Sequence, residues 1–324
     1  MARKNSHLVY YLKAFFLLTT PKWLLKYKEK RLIAAYRKRK DKKEIEQRVN
    51  YYNQLEDITK LPIDCPNLSH HTYTEHKGPS VYFFDTFEFT RYFPKKFLWS
   101  HKPGDIRELF NYPTIVKTRP LQLTDYRFHN SILLNLDKVR HFLFVKDPIP
   151  FEKKKPIVLF RGDVANKPTR ITFIKMFKNK QGFDVGDTSG KLDTTLQARK
   201  LSINEHLKYR YVISLEGNDV ASNLKWVMSS NCIAVMPRPT CESWFMEGLL
   251  KPNYHYIEIK PDFSDLEERI QFYNENIHEA LTIIEHAHEY IKQFLDPQRE
   301  KIISYLVMKK YFEKTAIKNI PQLL

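Results

Sequence analysis

The 324-residue chain holds only three cysteines, Cys65, Cys232 and Cys241, and only eight glycines. Three cysteines cannot build a disulfide framework and their spacing fits no zinc ribbon or finger, so the natural compartment is a reducing one. Scarce glycine and the lack of any low-complexity tract, with 42% hydrophobic residues, exclude a fibrous or disordered chain. Long apolar runs are missing too. In the amino-terminal stretch HLVYYLKAFFLLTTPKWLLKY, Lys13 interrupts the pattern, and the longest clean run there, Ala14 to Leu18, falls far short of the roughly 20 residues that span a bilayer. No small-residue cleavage pattern follows it, as a secretory signal requires. Acidic residues are also short, 37 against 54 Lys and Arg, for a formal net charge of +17.

That charge is concentrated. Residues 1–50 carry fifteen Lys and Arg against four Asp and Glu, a net of +11, which leaves +6 for the other 274 residues. The stretch WLLKYKEKRLIAAYRKRKDKKEIEQRV reads as a basic amphipathic helix in which Trp23, Leu25, Leu32 and Tyr36 accompany a crowded cationic face. Three uses are open to it: lying on an anionic membrane surface, capping its own domain, or binding nucleic acid. Its aromatics stand beside long aliphatics, as interfacial anchors do, and this weighs against base stacking. Cys65 lies near His70, His71 and His76 in DCPNLSHHTYTEH. A polar loop with several histidines is the simpler account, and no metal site is assigned.

Length favours two domains. From residue 51 to about 150, the short apolar segments VYFFDTFEF, TIVKT and HFLFV read as strands between loops, and KDPIPFEKKKP, from Lys146 to Pro156, reads as a boundary linker. Beyond it PIVLF, TRITFIKMF, FDV, YRYVISL, ASNLKWVMSS, CIAVMP and YHYIEI alternate strands with helical spacing, the signature of a parallel sheet with helices on its faces. A helix then runs through SDLEERIQFYNENIHEALTIIEHAHEYIKQFL, with Ser264 and Glu267 spaced as a capping box. Pro297 ends it, and EKIISYLVMKKYFEKT forms a last helix.

In such a sheet, ligands sit beyond the carboxyl ends of the strands. Two motifs fall there. VLFRGDVANKPTR offers Arg161, Gly162, Lys167 and Arg170; LEGNDVASNLKW offers Gly217, Asn218, Asp219, Ser222, Asn223 and Lys225. Backbone amides and converging cations suit a diphosphate, although neither motif is a Walker loop or a dinucleotide fingerprint. Taken singly, each residue also has a structural use: the glycines in turns, Asp219 or Ser222 as a cap, Arg161 pairing with Asp163. In PTCESWFMEG, Glu242 suits a ribose contact; equally, Trp244 and Phe245 are core and the glutamates face water.

The ordered motifs FRGDVANKPTR, LEGNDVASNLKWVMSSNCIAVMP, SWFMEG and HYIEIKPDFSDLEERI resemble glycosyltransferase family 90, most of all bacterial members assigned to lipopolysaccharide core synthesis, and beyond them the Rumi-type protein O-glucosyltransferases. The resemblance runs from about Arg91 to Phe294. It implies the GT-B type of α/β fold, two Rossmann-like domains facing a cleft, expected here as an acceptor-side domain at 51–150 and a nucleotide-sugar domain at 151–296; the residue pattern itself adds the basic amphipathic segment at 1–50 and a terminal helix at 297–324. The resemblance also implies inverting hexosyl transfer from a UDP-sugar, glucose or galactose, without an obligatory metal or other cofactor. Arg161 and Lys225 would face the diphosphate, Gly217, Asn218, Ser222 and Asn223 would line the donor loop, and Glu242 would lie near the nucleoside.

For the base, the Rumi-type pattern places an Asp between an Arg and an aromatic-Pro pair, where TRYFPKK has Tyr92. A phenol is a poor base at neutral pH, so the expectation passes to Asp105 in HKPGDI or Asp85 in FFDTF. Arg119, Arg127, Lys95 and Lys96 are candidates for contacts to acceptor phosphates or are plain surface charges. The expected acceptor is a lipopolysaccharide core saccharide at the cytoplasmic face of the inner membrane, with an anionic membrane surface and no nucleic acid as partner. The alternatives are a nucleic-acid-binding protein acting through its basic segment, and an inactive family member serving as an assembly partner.

Overall fold

Runs rich in β-branched and aromatic residues, each closed by a turn and followed by helical spacing, make the part of the chain beyond Lys155 a parallel sheet with helices. The computed structural model describes residues 7–121 and 124–316. In chain order the helices are α1 (His7–Leu18), α2 (Lys22–Arg37), α3 (Lys42–Tyr52), α4 (Ser80–Thr90), α5 (Lys138–His141), α6 (Pro168–Phe177), α7 (Ile203–His206), α8 (Leu224–Met228), α9 (Leu266–Glu275), α10 (Ile277–Lys292) and α11 (Pro297–Thr315). The strands are β1 (Thr114–Val116), β2 (Thr118–Pro120), β3 (Ser131–Leu133), β4 (Lys155–Gly162), β5 (Phe183–Asp187), β6 (Tyr209–Ile213), β7 (Ile233–Met236), β8 (Cys241–Ser243) and β9 (Ile257–Glu258). The chain divides into a sheet unit, residues 140–240 with 246–295, and a helical unit that takes the earlier residues together with 241–245 and the segment from 296 onward.

In the sheet unit five strands pair in parallel in the order β5-β4-β6-β7-β9. The chain leaves β4 for β5 on one side, then returns to place β6 on the other. That reversal makes the carboxyl ends of β4 and β6 a topological switch point, where open α/β sheets bind ligands. Val158, Phe160, Val185, Tyr211, Ile213, Ile233, Val235 and Ile257 pack with Phe173, Ile174 and Phe177 of α6 and with Ile283 and Ile284 of α10 in one core. This mixed α/β unit was legible strand by strand. Within the segment from Lys146 to Pro156, the Asp147 carboxylate is buried against Lys154 (2.6 Å) and accepts the Asn231 N–H.

Elsewhere the local reading needs correction. VYFFDTFEF is α4, not a strand. Val81 through Thr86, Phe89 and Thr90 are all buried, and a run buried on nearly every side shows no clear period to separate helix from strand. HFLFV forms no strand. The basic helix is split into α2 and α3 around Lys38–Asp41. The long helix after Ser264 breaks at Asn276 (φ −115°, ψ 66°), whose side-chain amide donates to the Phe272 carbonyl. Its capping box does not form: Ser264 Oγ donates to Asp262, and Glu267 pairs with Lys180. A capping box is present instead at Ser202 and Glu205.

In the helical unit α1 packs on α4 through Ala14, Phe83 and Phe84. Segment 241–245 is fixed there by antiparallel pairing of β8 with β2 and by stacking of Trp244 on Tyr52 (3.8 Å between centroids, 11° between planes). Arg48 lies over both rings and pairs with Glu300 at 2.5 Å.

Candidate active site

The loops that follow β4 and β6 stand side by side at the switch point, and Arg170, in the first turn of α6, ties them. Its Nη1 donates to the Asp163 carbonyl (2.9 Å), Nη2 to Leu215 (2.6 Å) and Nε to Glu216 (3.0 Å). Burial lowers the proton affinity of this guanidinium, against the opposing charges of Asp163 and Asp219. A Cβ at Gly217 would lie 3.0 Å from Arg170 Nη2 and 3.4 Å from Lys167 Cε, so the backbone approach there depends on glycine. Gly162, Lys167, Arg170 and Gly217 therefore converge. Asn218 and Ser222 are exposed beside them and Asn223 is half-buried, its side-chain amide donating to the Ile213 carbonyl. Asp219 is buried, and its carbonyl accepts the Gly217 N–H.

Sequence reasoning missed two supporting carboxylates. Asp187, at the end of β5, is buried and accepts from Val164 N, Ser189 N and Ser189 Oγ. Burial pushes its carboxyl up, but the serine and backbone donors outweigh that and hold it below the usual range. Glu216 receives Thr240 N (2.8 Å) and Oγ1 (2.5 Å). A carboxylate at the end of a strand or in the loop just beyond it was the available signal for both.

Three expected donor contacts are corrected. Arg161 lies inside β4, not in the loop, and turns toward β5: it donates to the carbonyls of Arg199, Phe160 and Asp184 and pairs with the Asp184 carboxylate at 2.5 Å. Burial pushes the Asp184 carboxyl up, and the bond and charge of Arg161 outweigh it and hold it below its ordinary range. Lys225 is fully buried in α8, with Nζ 2.7 Å from Glu247 Oε1. A buried ammonium needs a carboxylate, and a lysine inside the apolar run LKWVM was the sign that one had to exist. Glu242 belongs to the helical unit, with Arg119 at 2.8 Å and the Tyr51 hydroxyl on its other oxygen. It is neither exposed nor open to a nucleoside, and Arg119 is correspondingly no surface charge.

The two candidate bases differ. Asp85 is 1% exposed; it accepts from the Tyr10 hydroxyl (2.9 Å) and the Lys138 N–H (3.1 Å), and Lys138 Nζ lies 3.3 Å away. Burial raises its proton affinity, only partly opposed by Lys138. Such a carboxyl is structural, and the expectation of a base there is corrected. Asp105 keeps 23% of its side chain exposed and is held by Lys117 and by the Tyr82 hydroxyl (3.2 Å). Tyr92 stands edge-on to Tyr305. Arg127 pairs with Asp125, and Lys95 and Lys96 are exposed. Among the described residues no group of three or more His, Cys, Asp or Glu could hold a metal ion, and no helix is long and apolar enough to cross a membrane.

A parallel sheet with helices, whose switch point gathers glycines and cations, defines an open α/β unit. The sequence profile of glycosyl transferase family 90 matches residues 98–318, and the chain belongs to that family of glycosyltransferases. It is 40% identical over 269 residues to the O-glucosyltransferase LpsA of Dichelobacter nodosus, covering 83% of this chain and 82% of that one. Human protein O-glucosyltransferase 3 is 27% identical over 49% of this chain and 32% of its own length, and human protein O-glucosyltransferase 1 is 27% identical over 48% and 41%. As a glycosyltransferase the chain takes a sugar donor and an acceptor.

Proposed function

We propose that the protein transfers a hexose, glucose or galactose, from a UDP-sugar to a saccharide of the lipopolysaccharide core, with inversion and without an obligatory metal or other cofactor, on a GT-B architecture. The observation that carries the reading is the Arg170 tie across the β4 and β6 loops, which fixes Lys167 beside Gly217 at the switch point. There Lys167 and the loop amides would meet the diphosphate, with Arg170 as the positioning residue. The base is assigned to Asp105: it would take the proton of the acceptor hydroxyl as that oxygen bonds to the anomeric carbon and the bond to UDP breaks, the charge leaving with UDP. The lipopolysaccharide acceptor is supported by similarity to LpsA. Work at the cytoplasmic face of the inner membrane is supported by the concentration of positive charge in residues 1–50.

Calorimetric titration with UDP, GDP and a short DNA duplex, with chelator present, tests the donor class. Selective UDP binding, lost in Lys167→Ala, is expected. Binding of DNA alone would return the basic segment to a nucleic-acid role. UDP binding without transfer, unchanged by Asp105→Asn, would favour an inactive partner.

A further inference from the structure

In the helical unit, α2 and the first turns of α11 line a groove of 880 Å³. Lys28, Arg31, Lys38, Arg39 and Lys301 stand around it, and no carboxylate among the described residues lines it. Arg39 is committed to Asp41 and Asp296, and Lys301 lies 3.0 Å from Glu88. Lys28, Arg31 and Lys38 have no acidic partner among the described residues. Partial burial, with the charges of Arg91 and Lys301, holds the Lys28 ammonium below its ordinary proton affinity. Lys28, Arg31 and Lys38 are exposed, whereas the buried cations of the same unit are matched by carboxylates, Arg48 with Glu300 and Arg119 with Glu242.

The walls are preset. The Tyr305 hydroxyl of α11 donates to Glu29 of α2 (2.7 Å), and Arg39 reaches Asp296, which caps α11. The lining includes Leu32 and Tyr92, residues with apolar surface suited to the C–H face of a saccharide. The volume exceeds what one phosphate fills. Along the same stripe of α2, one and two turns before Arg31, Tyr27 and Trp23 are 53% and 71% exposed. Helix α1 adds Leu8, Leu12, Phe15 and Phe16, all more than half exposed. Exposed aromatics beside unpaired cations are the anatomy of an interfacial lipid contact.

We propose that this groove binds the phosphorylated saccharide headgroup of a membrane lipid, the phosphomonoester lying among Lys28, Arg31 and Lys38 and the ring against Tyr92. The inference deepens, and rests on, the reading of this segment as membrane-facing; it does not depend on the identity of the donor.

The test is vesicle flotation of the full chain. Phosphatidylcholine vesicles carrying phosphatidylinositol 4-phosphate are compared with vesicles carrying phosphatidylglycerol at matched total charge. The wild type should prefer the phosphomonoester by about tenfold or more. The triple change Lys28→Gln, Arg31→Gln, Lys38→Gln should erase that preference, whereas Lys22→Gln, Lys26→Gln, Lys30→Gln, outside the groove lining, should weaken binding to both vesicles and keep it. Unchanged UDP titration and thermal melting show that a variant is folded, and loss of UDP binding alone would count against the donor reading instead. Equal binding to both vesicles, or equal loss of preference in both triple variants, overturns the proposal. Tight binding of glucose 6-phosphate with no vesicle preference would assign the groove to a free phosphosugar, and stronger binding of duplex DNA to nucleic acid; either replaces the lipid.

Discussion

Both units bury cation–carboxylate pairs, but they use their other cations differently. In the sheet unit, the arginines near the strand ends are spent on backbone carbonyls, Arg170 on three of them and Arg161 on three plus a carboxylate, so positive charge there fixes loop geometry. In the helical unit, buried cations are matched by carboxylates and the surface of α2 is left in excess. The difference teaches that a cation's use is decided by what surrounds it: carbonyls at a strand end make it a tie, and a carboxylate in a core makes it half of a pair.

The largest effects should come from breaking one buried pair in each unit. Lys225→Met leaves Glu247 and Arg119→Met leaves Glu242 as uncompensated buried charges. Each should cost about 3–5 kcal/mol in urea unfolding. Replacing both members of a pair with apolar residues should cost much less, and equal losses for single and double changes would break the comparison.

Arg170→Ala comes next. It removes one charged donor from three carbonyls, each such bond worth about 1.5–3 kcal/mol at most and less when water replaces it. A loss of about 2 kcal/mol of stability and at least a tenfold weaker UDP affinity are expected. Loss of stability with unchanged UDP affinity would make the tie structural only.

How much of this was legible follows from period. The sheet unit announced itself because PIVLF, YRYVISL and CIAVMP are short, two-faced buried strands bounded by turns, and the loops at the β4 and β6 ends were found from position alone. The helix α4 hid because VYFFDTFEF is buried on almost every side, Asp85 and Thr86 included, and in the sheet unit the break at Asn276 depends on one backbone conformation. At the strand ends, sequence located the cations along the chain but not the direction of their side chains. Arg161 sits one residue inside the strand and faces β5, and the partners of Lys225 and Glu242 lie 22 and 123 positions away.

A smaller effect is read by pH. In the helical unit, burial holds His71 down to about 3 and His101 to about 4, the second against Trp99. The unfolded chain takes up these protons from about pH 6.5 downward while the folded chain does not. Stability is therefore fully present above pH 6.5 and falls as the pH drops toward 4, by up to about 1.4 kcal/mol per pH unit for each histidine. His101→Phe should reduce that slope in urea midpoints measured between pH 7 and 5. An unchanged slope would show that His101 is not desolvated as described.

The smallest expected effect sharpens the lesson most. Lys180 and Glu267 pair at 2.5 Å, closer than the 2.7 Å of Lys225 and Glu247, in the same unit and with the same two functional groups. The exposed pair keeps 45% and 57% of its side chains in water, where the buried one keeps 0% and 2%. Water already solvates the first pair when apart and screens it when together, so its formation gains little; the second has no solvent to fall back on. Lys180→Ala should therefore shift stability by less than about 1 kcal/mol, several-fold below Lys225→Met despite the shorter contact. If the two losses were equal, separation rather than desolvation would govern charge in this fold, and the contrast between its units would need another cause.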